Sequence, residues 1–597
     1  MKEEQRIKSI PYGKSDFGDF RKENLYYVDK TRFIRTIEEK GGFLFLIRPR
    51  RFGKSLFLAT LEEYYDIYRK DRFDSLFEGT YIHRNPTEGK NSYLVLKFNF
   101  SRIEPGISMV EEAFLGNIKN TVGFFIKKYG TMLGIDIEKA LNRFDSLKSA
   151  SAVLDTLLYY CQEKEQKLYV IIDEYDNFAN TILSTSGEQA FIDITHGEGF
   201  FRAFFNTLKA GTTGSGSSIS RLFMTGVSPI TLDDVTSGFN IATNISLDPD
   251  LNDMMGFTRE EVVQMIEYYR ENGKILHPTG ELLGIMSRWY NHYRFSIDSD
   301  IEVFNTVHVL YFMQQYLVRN KIPTDMIDRN VRIDYDKLHH FVIIDRKGTP
   351  KTNGNFSILQ EIIENGAIHS HIIKGFPIDE ITHPDNFISL LYYFGLLTIR
   401  GMDEEENTIL AIPNESIKCL YYDYFKKAYE ETGIFNIELY KYSKLMDRMA
   451  FKGEWEPVVK YIADLMLASL GLRDLMKEEK AAQVFWNVYF GLSPLYIVHS
   501  EKELNQGFSD LALEPLLVQH PGIKYSYLIE IKYIKPVGAK KQGPPQKQID
   551  QLKTEAEEQL LRYGMDEKFK KTIGPTTLKR LILIFCGNRM VHHEEVK

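Results

Sequence analysis

Apolar residues fall along this chain in two periods. In "GGFLFLIRPRR" a short apolar run of strand type breaks at Pro49, and "KSLFLATLEEYYDIY" continues with apolar positions at helical spacing, which predicts strand, loop and helix in that order. "KLYVIIDEYDN", from Lys167 to Asn177, is a β-branched apolar run ending in two carboxylates, the pattern of a buried parallel strand. "SRLFMTGVSPI", from Ser220 to Ile230, reads as a further strand behind the Gly/Ser/Thr-rich "AGTTGSGSS". In "NDMMGFTREEVVQMIEYYREN" Thr258 precedes Glu261 by three residues, a capping box that opens an amphipathic helix. "VHVLYFMQQYLV" has helical spacing, and "DNFISLLYYFGLLTIRGMDEEENTILAIPNESIKCLYYDYF" predicts a helix, a two-stranded hairpin and a capped helix, a winged-helix layout. "YSYLIEIKYIK" alternates with the period of two expected of a strand, and "TEAEEQLLRYG" is helical.

Length and composition narrow the class. A chain of 597 residues exceeds one core and suggests about three to four domains. With 43% hydrophobic and 26% charged residues, 40 Phe and 35 Tyr, the chain is expected to fold throughout. Three cysteines, Cys161, Cys419 and Cys586, lack any C-x-x-C spacing, which speaks against a disulfide framework or a cysteine zinc site and for a reducing compartment. The charged start and the lack of any run near the ~20 apolar residues of a membrane span predict a cytoplasmic protein without membrane contact. A net charge of -8 supplies no global attraction to nucleic acid, so such binding would need a local basic patch. The wing tip, Asp403 to Glu406, is acidic and suits a structural or protein-docking role better than DNA contact.

Candidate chemistry gathers in two places. Gly53, Lys54 and Ser55 end a loop like G-x-x-x-x-G-K-[ST], with Arg48 where the first glycine would stand. Backbone N–H groups at the helix start would face phosphate oxygens, Lys54 would neutralise charge, and the Ser55 hydroxyl would hold Mg²⁺. Arg48, Arg50 and Arg51 concentrate positive charge where a triphosphate would lie; the plainer alternative is a basic turn before an ordinary helix. Asp173 and Glu174 form a Walker B pattern, Asp173 holding Mg²⁺ through water and Glu174 orienting or deprotonating an attacking water. Thr225 or Ser228 is either a polar group turned to the γ-phosphate or a cap. Far downstream, Asp510 opens a strand, and Glu530 and Lys532 share one strand face, so that two carboxylates could bind Mg²⁺ beside the Ile531 carbonyl while Lys532 positions a hydroxide. E-x-K alone is common on exposed strands. The close histidine pairs His339/His340, His369/His371 and His592/His593 lack ligand spacing and are read as structural.

"IPYGKSDFGDFRKENLYYVDKTRFIRTIEE", "FLIRPRRFGKSLF", "VIIDEYD", "FMTGVSPI" and "MMGFTREEV", in this order, resemble the AAA-ATPase-like family of bacterial and archaeal proteins with a C-terminal PD-(D/E)xK nuclease-like domain. That family reads R-P-R-R-F-G-K-S in its loop, so Arg48 is the family's form. The resemblance implies an α/β multidomain protein: a P-loop NTPase (AAA-like) core over residues 1–245, a helical lid over 246–345, a winged-helix-like region over 346–435 and a nuclease-like domain over 436–597. It implies ATP and Mg²⁺ as cofactors, Arg50, Arg51, Gly53, Lys54, Ser55, Asp173 and Thr225 at the nucleotide, and Glu174 in hydrolysis. Asp510, Glu530, Lys532 and Gln559 would form the second catalytic site, Gln559 matching the A-x-x-Q position; the metal ligands would be Ser55, Asp173, Asp510 and Glu530. "RWYNHYRFS" resembles the W-Y-x-x-Y-R-F segment, where Arg294 either reaches a phosphate or bridges helices. Nucleic acid is the partner implied for the C-terminal domain, and a homo-oligomer for the ATPase. One departure counts against nuclease activity: the stretch "QVFWN" places Gln483 where relatives carry an acidic residue, and Glu478 or Glu479 would replace it only in a shifted register. The alternative is an ATP-switched scaffold or signalling protein with an inert nuclease-like domain that binds nucleic acid or a partner protein.

Overall fold

The computed structural model describes residues 6–103, 109–186, 188–196, 199–214, 217–230, 241–328, 354–377, 380, 383–431, 438–468, 479–505, 507–517, 519–535 and 544–597. His339, His340, Glu478 and residues 536–543 lie outside the described residues. The chain divides into two compact units, Met1–Lys321 with His369–Asn414, and Ile322–Ile368 with Glu415–Lys597.

In the first unit, strand β1 (Phe43–Ile47) leads through the basic loop into helix α1 (Lys54–Tyr65). There follow β2 (Leu94–Asn99), α2 (Val110–Tyr129), β3 (Leu168–Asp173), β4 (Ile219–Gly226) and the short β5 (Thr243–Asn244). The strands form a parallel sheet in the order β2-β3-β4-β1-β5. All six residues of β3 are buried, which explains its unbroken apolar run: a parallel sheet is covered on both faces, so neither parity of side chain meets water. Because β4 lies between β1 and β3, the strand feeding the basic loop and the strand ending in Asp173 are not neighbours. Their carboxyl ends open on one edge, the usual place for a ligand in such sheets.

Helices α3 (Arg259–Glu271), α4 (Thr279–Tyr290) and α5 (Thr306–Arg319) follow the sheet. The capping box forms: the Thr258 hydroxyl accepts from the Glu261 amide at 3.3 Å, and the Glu261 carboxylate accepts from the Thr258 amide at 2.8 Å. Further on, α6 (Pro384–Tyr393) leads into an antiparallel hairpin, β6 (Thr398–Met402) and β7 (Thr408–Ala411). Its acidic turn spends Asp403 internally, since that carboxylate accepts from the amides of Glu405 at 2.9 Å and Asn407 at 2.8 Å.

In the second unit, α7 (Glu415–Glu431) is the helix expected after the hairpin along the chain. Helix α8 (Glu479–Gly491) precedes β8 (Tyr496–Leu504), β9 (Gly507–Pro515) and β10 (Tyr525–Ile534); then come α9 (Gln546–Tyr563), β11 (Thr577–Cys586) and β12 (Arg589–Val596). The sheet order is β12-β11-β10-β9-β8, with only β10 and β11 parallel. A parallel pair needs a crossover, and α9 supplies it. Its Ile549, Ala556 and Leu560 pack on Ala512, Leu528, Ile582 and Ile584, one face of the sheet.

Candidate functional site

In the first unit Gly53 caps α1 with φ 97, a left-handed conformation that a side chain would strain. This leaves the first amides of α1 without intrahelical acceptors, the arrangement that receives phosphate. The Lys54 ammonium is buried and donates to the carbonyls of Arg48 at 2.8 Å and Pro49 at 2.9 Å, which places its charge inside the loop. Burial lowers its pKa to about 8, against the pull of Glu174, Asp173 and Asp176.

Asp173 receives two hydroxyl groups from distant parts of the chain. Ser55 Oγ donates to its Oδ2 at 2.8 Å, and Thr225 Oγ1 donates to its Oδ1 at 3.1 Å. Thr225 reaches it because β4 runs beside β3, and Thr225 is fully buried. Ser228 serves the backbone instead, its hydroxyl accepting from the Ile230 amide at 3.3 Å. Glu174 takes φ 51, an uncommon conformation for a glutamate, and its carboxyl is raised above the usual range by burial, with Lys54 and Arg50 opposing. Arg50 donates to Asn177 Oδ1 at 2.9 Å, just past the Walker B carboxylates. Arg51 takes φ 70, and its carbonyl accepts from the Val307 amide at the start of α5.

Arg48 corrects the expectation drawn from its charge. Its guanidinium is 1% exposed and points away from the loop, donating to the carbonyls of Ile47, Ser246 and Leu251 and lying 4.4 Å from the Phe295 ring centre. Phe52 extends the same contact, with Tyr293 and Phe295 edge-on to its ring at 4.8 and 5.3 Å. The Phe52 carbonyl also accepts from the Gly256 amide at 3.0 Å and from Thr306 Oγ1 at 3.3 Å. The residue in place of the first glycine therefore fastens the loop to the segments that follow the sheet. Arg294 lies in that aromatic stretch, and its amide donates to Thr398 Oγ1 at 2.8 Å.

The sequence reading missed Asp176. Its Oδ2 accepts from the amides of Val227 at 3.0 Å and Ser228 at 2.6 Å, tying the turn after β3 to the turn after β4. Tyr175 reinforces the tie through a 2.6 Å bond to the Ser228 carbonyl, and a Cβ on Gly226 would stand 2.0 Å from its ring. The available signal was the second aspartate three residues after Asp173.

In the second unit Asp510 and Glu530 meet on β9 and β10. The amide of Asp510 donates to Glu530 Oε1 at 3.4 Å, the amide of Ile531 donates to Asp510 Oδ2 at 2.6 Å, and Lys532 Nζ stands 3.0 Å from Glu530 Oε2. Burial raises both carboxyl groups, and the neighbouring Glu530 charge raises Asp510 further while Lys532 opposes. Gln483 on α8 donates from Nε2 to Asp510 Oδ1 at 2.8 Å and so reaches the site. Gln559 on α9 keeps a buried Oε1 without a hydrogen-bond partner. Among the described residues no group of three His, Cys, Asp or Glu side chains could hold a metal. His369 and His592 pair with Asp403 and Glu594 at 2.7 and 3.1 Å.

Both places fit a divalent cation by their donors. Ser55 and Asp173 offer hard oxygens side by side, and among the described residues the Lys532 ammonium opposes the paired, desolvated carboxylates of Asp510 and Glu530.

Comparison with known proteins agrees with this division. Residues 11–236 match the family model described as a predicted AAA-ATPase, AAA-ATPase-like, and residues 477–595 match the PD-(D/E)XK nuclease superfamily. The chain joins an AAA-ATPase-like domain to a PD-(D/E)XK nuclease-superfamily domain. A curated relative, an uncharacterized protein in the vnfD 5' region of Azotobacter chroococcum mcd 1, is 26% identical over 332 residues, 54% of this chain and 56% of that protein. The chain thus spans little over half of that relative's length. Among solved structures, the Walker-type ATPase paby2304 of Pyrococcus abyssi is similar at a TM-score of 0.39 and 15% identity, covering 70% of this chain and 99% of its own. The ORC2 protein of Aeropyrum pernix, in its ADPNP–ADP complexes, is similar at a TM-score of 0.30 and 11% identity, covering 68% and 93%. In the AAA-ATPase-like domain lie Gly53, Lys54, Ser55, Asp173 and Thr225, and in the nuclease-superfamily domain lie Asp510, Glu530, Lys532 and Gln559.

Proposed function

We propose that the chain binds and hydrolyses ATP in its AAA-ATPase-like domain, and that this domain controls a Mg²⁺-dependent nuclease-like domain acting on DNA or RNA. The observation that carries the ATPase reading is the 2.8 Å bond between Ser55 and Asp173, residues 118 apart, beside a lysine held in the loop. Mg²⁺, when bound, would neutralise phosphate charge and polarise the bond to be broken. Ser55 and Asp173 would hold it, Lys54 would bind the phosphates, and Arg50 and Arg51 would add positive charge beside them. Glu174, made more basic by burial, would orient water and accept its proton. Thr225 would fix the Asp173 carboxylate.

In the second domain Asp510 and Glu530 would hold Mg²⁺ with the Ile531 carbonyl, Lys532 would position hydroxide, and Gln559 would take a water with its unpaired amide oxygen or a phosphate with its amide N–H groups. The working division is a core over 1–245, a lid over 246–345, a winged-helix-like region over 346–435 and the nuclease-like domain over 436–597. A cytoplasmic homo-oligomer completes the reading; no helix among the described residues is long and apolar enough to cross a membrane.

A second reading has one observation in its favour. Gln483 brings a neutral amide to Asp510 where an acidic side chain would strengthen metal binding, which favours an ATP-switched scaffold whose nuclease-like domain binds without cleaving. Labelled single- and double-stranded DNA and RNA, incubated with Mg²⁺ or Mn²⁺ with and without ATP, separate the two. Cleavage that Glu530→Ala abolishes supports the nuclease; no cleavage under any condition supports the scaffold.

A further inference from the structure

Between β3 and β4 the register breaks where the chemistry lies. Ile172 and Met224 are the last matched pair of the two strands, and beyond them the Tyr175 amide donates to the Thr225 carbonyl at 3.1 Å. From one link to the next the chain advances three residues on the β3 side and one on the β4 side, so Asp173 and Glu174 loop out past the end of the sheet as in a bulge. Glu174 absorbs the excess with its φ of 51, a left-handed conformation that a residue with a side chain keeps only where its neighbours are fixed.

Both flanks of Glu174 are fixed to β4. On one side Thr225 holds Asp173 at 3.1 Å. On the other, Asp176, 1% exposed, accepts from the amides of Val227 and Ser228 with a single oxygen. Tyr175, equally buried, donates to the Ser228 carbonyl and sets its ring against Gly226 and edge-on to Phe45 of β1 at 5.3 Å. The turn held in this way also supports the phosphate loop, since the Arg48 amide donates to the Gly226 carbonyl at 3.2 Å. The Glu174 carboxylate lies within reach of the Lys54 and Arg50 charges, on the loop side of this clamp.

A general base acts only from a narrow range of positions, and a displacement of about 1 Å can cost about a hundredfold in rate while the bound phosphates keep their contacts. We infer, on the ATPase reading above, that Asp176 is a positioning residue for hydrolysis: by clamping the turn after β3 to the turn after β4, it holds Glu174 in its left-handed conformation and fixes the side from which that carboxylate meets the attacking water.

The test compares the full chain with its Asp176→Ala, Asp176→Asn and Tyr175→Phe variants. Calorimetry reads the affinity for ADP and for ADP with Mg²⁺ and aluminium fluoride, which mimics the phosphoryl group in transfer, and phosphate release reads turnover. Asp176→Ala should bind ADP as the wild type does and lose about a hundredfold in turnover and in affinity for the fluoride complex. Asp176→Asn keeps an oxygen for the two amides and should lose only about tenfold, as a neutral acceptor replaces a charged one; Tyr175→Phe should show a smaller loss in the same two readings. In a Glu174→Gln background Asp176→Ala should cause no further loss, because the carboxylate it aims is gone. Losses that multiply in the double variant, or ADP affinity that falls as far as turnover does, would mark a residue that only keeps the domain folded and overturn the inference. Should the alanine variant not fold, the asparagine and phenylalanine variants carry the same comparison. Absence of ATP turnover in the wild type removes the ATPase reading and this role with it, whereas wild-type turnover that the Asp176 variants leave unchanged removes the role alone.

Discussion

Gln483 Nε2 donates to Asp510 Oδ1 at 2.8 Å, so a neutral amide is held against a carboxylate that burial and Glu530 already push toward its protonated form. An acid in that place would add a third negative charge to a desolvated pair. Gln483→Glu should therefore lower the melting temperature in EDTA, and Mn²⁺ should raise it by more than in the wild type, because the added carboxylate is relieved only by a cation. Differential scanning fluorimetry with and without Mn²⁺ reads both effects; equal Mn²⁺ shifts in the two proteins would show that position 483 does not face the metal.

Restoring glycine at position 48 should damage the protein. Arg48→Gly removes the donor from three carbonyl oxygens and leaves a hole beside Phe295. A loss of about 3 kcal/mol or more is expected, seen as a fall of about 5 °C or more in Tm. ATP affinity measured by calorimetry should not improve, since the guanidinium points away from the loop.

Thr225→Val keeps shape but leaves Asp173 Oδ1 without its donor. Stability should fall by about 1–3 kcal/mol, and ATP turnover by about tenfold or more as Asp173 loses its fixed orientation. Lys54→Ala, by contrast, should lose most nucleotide affinity. Isothermal calorimetry and phosphate release distinguish a binding defect from a turnover defect.

Burial lowers the pKa of His499 despite its 2.8 Å contact with Glu514; Lys418 and Lys502 also lower it, and Glu415 opposes. A histidine with a depressed folded pKa contributes stability above its unfolded value, about 6.5, and this is lost as pH falls through the folded value. Urea denaturation of the wild type should therefore show a weaker C-terminal transition at pH 5.5 than at pH 7.5, and His499→Gln should flatten that difference. An unchanged pH slope in the variant would assign the effect to other groups.

The sequence by itself determined the elements and the chemically distinctive residues. Gly53, Lys54 and Ser55 follow a strand and open a helix, Thr258 and Glu261 cap one, and Glu530 and Lys532 share a strand face, because these relationships depend on a few covalent neighbours and a fixed backbone period. Ser55 and Asp173, 118 residues apart, were legible as partners only through motifs that carry their own context. Tertiary structure decided what charge and spacing leave open. Arg48 looked like a phosphate ligand because its sign is visible in the sequence, but its direction follows from the carbonyls of Ser246 and Leu251, some two hundred residues away, which it reaches as a buried donor. The same holds for Asp176, whose partners Val227 and Ser228 lie on the turn after β4, and for Gln483, which meets Asp510 across 27 residues. A side chain's partner is chosen by packing and by the cost of leaving a buried polar group unmatched, and both exist only once distant segments have come together.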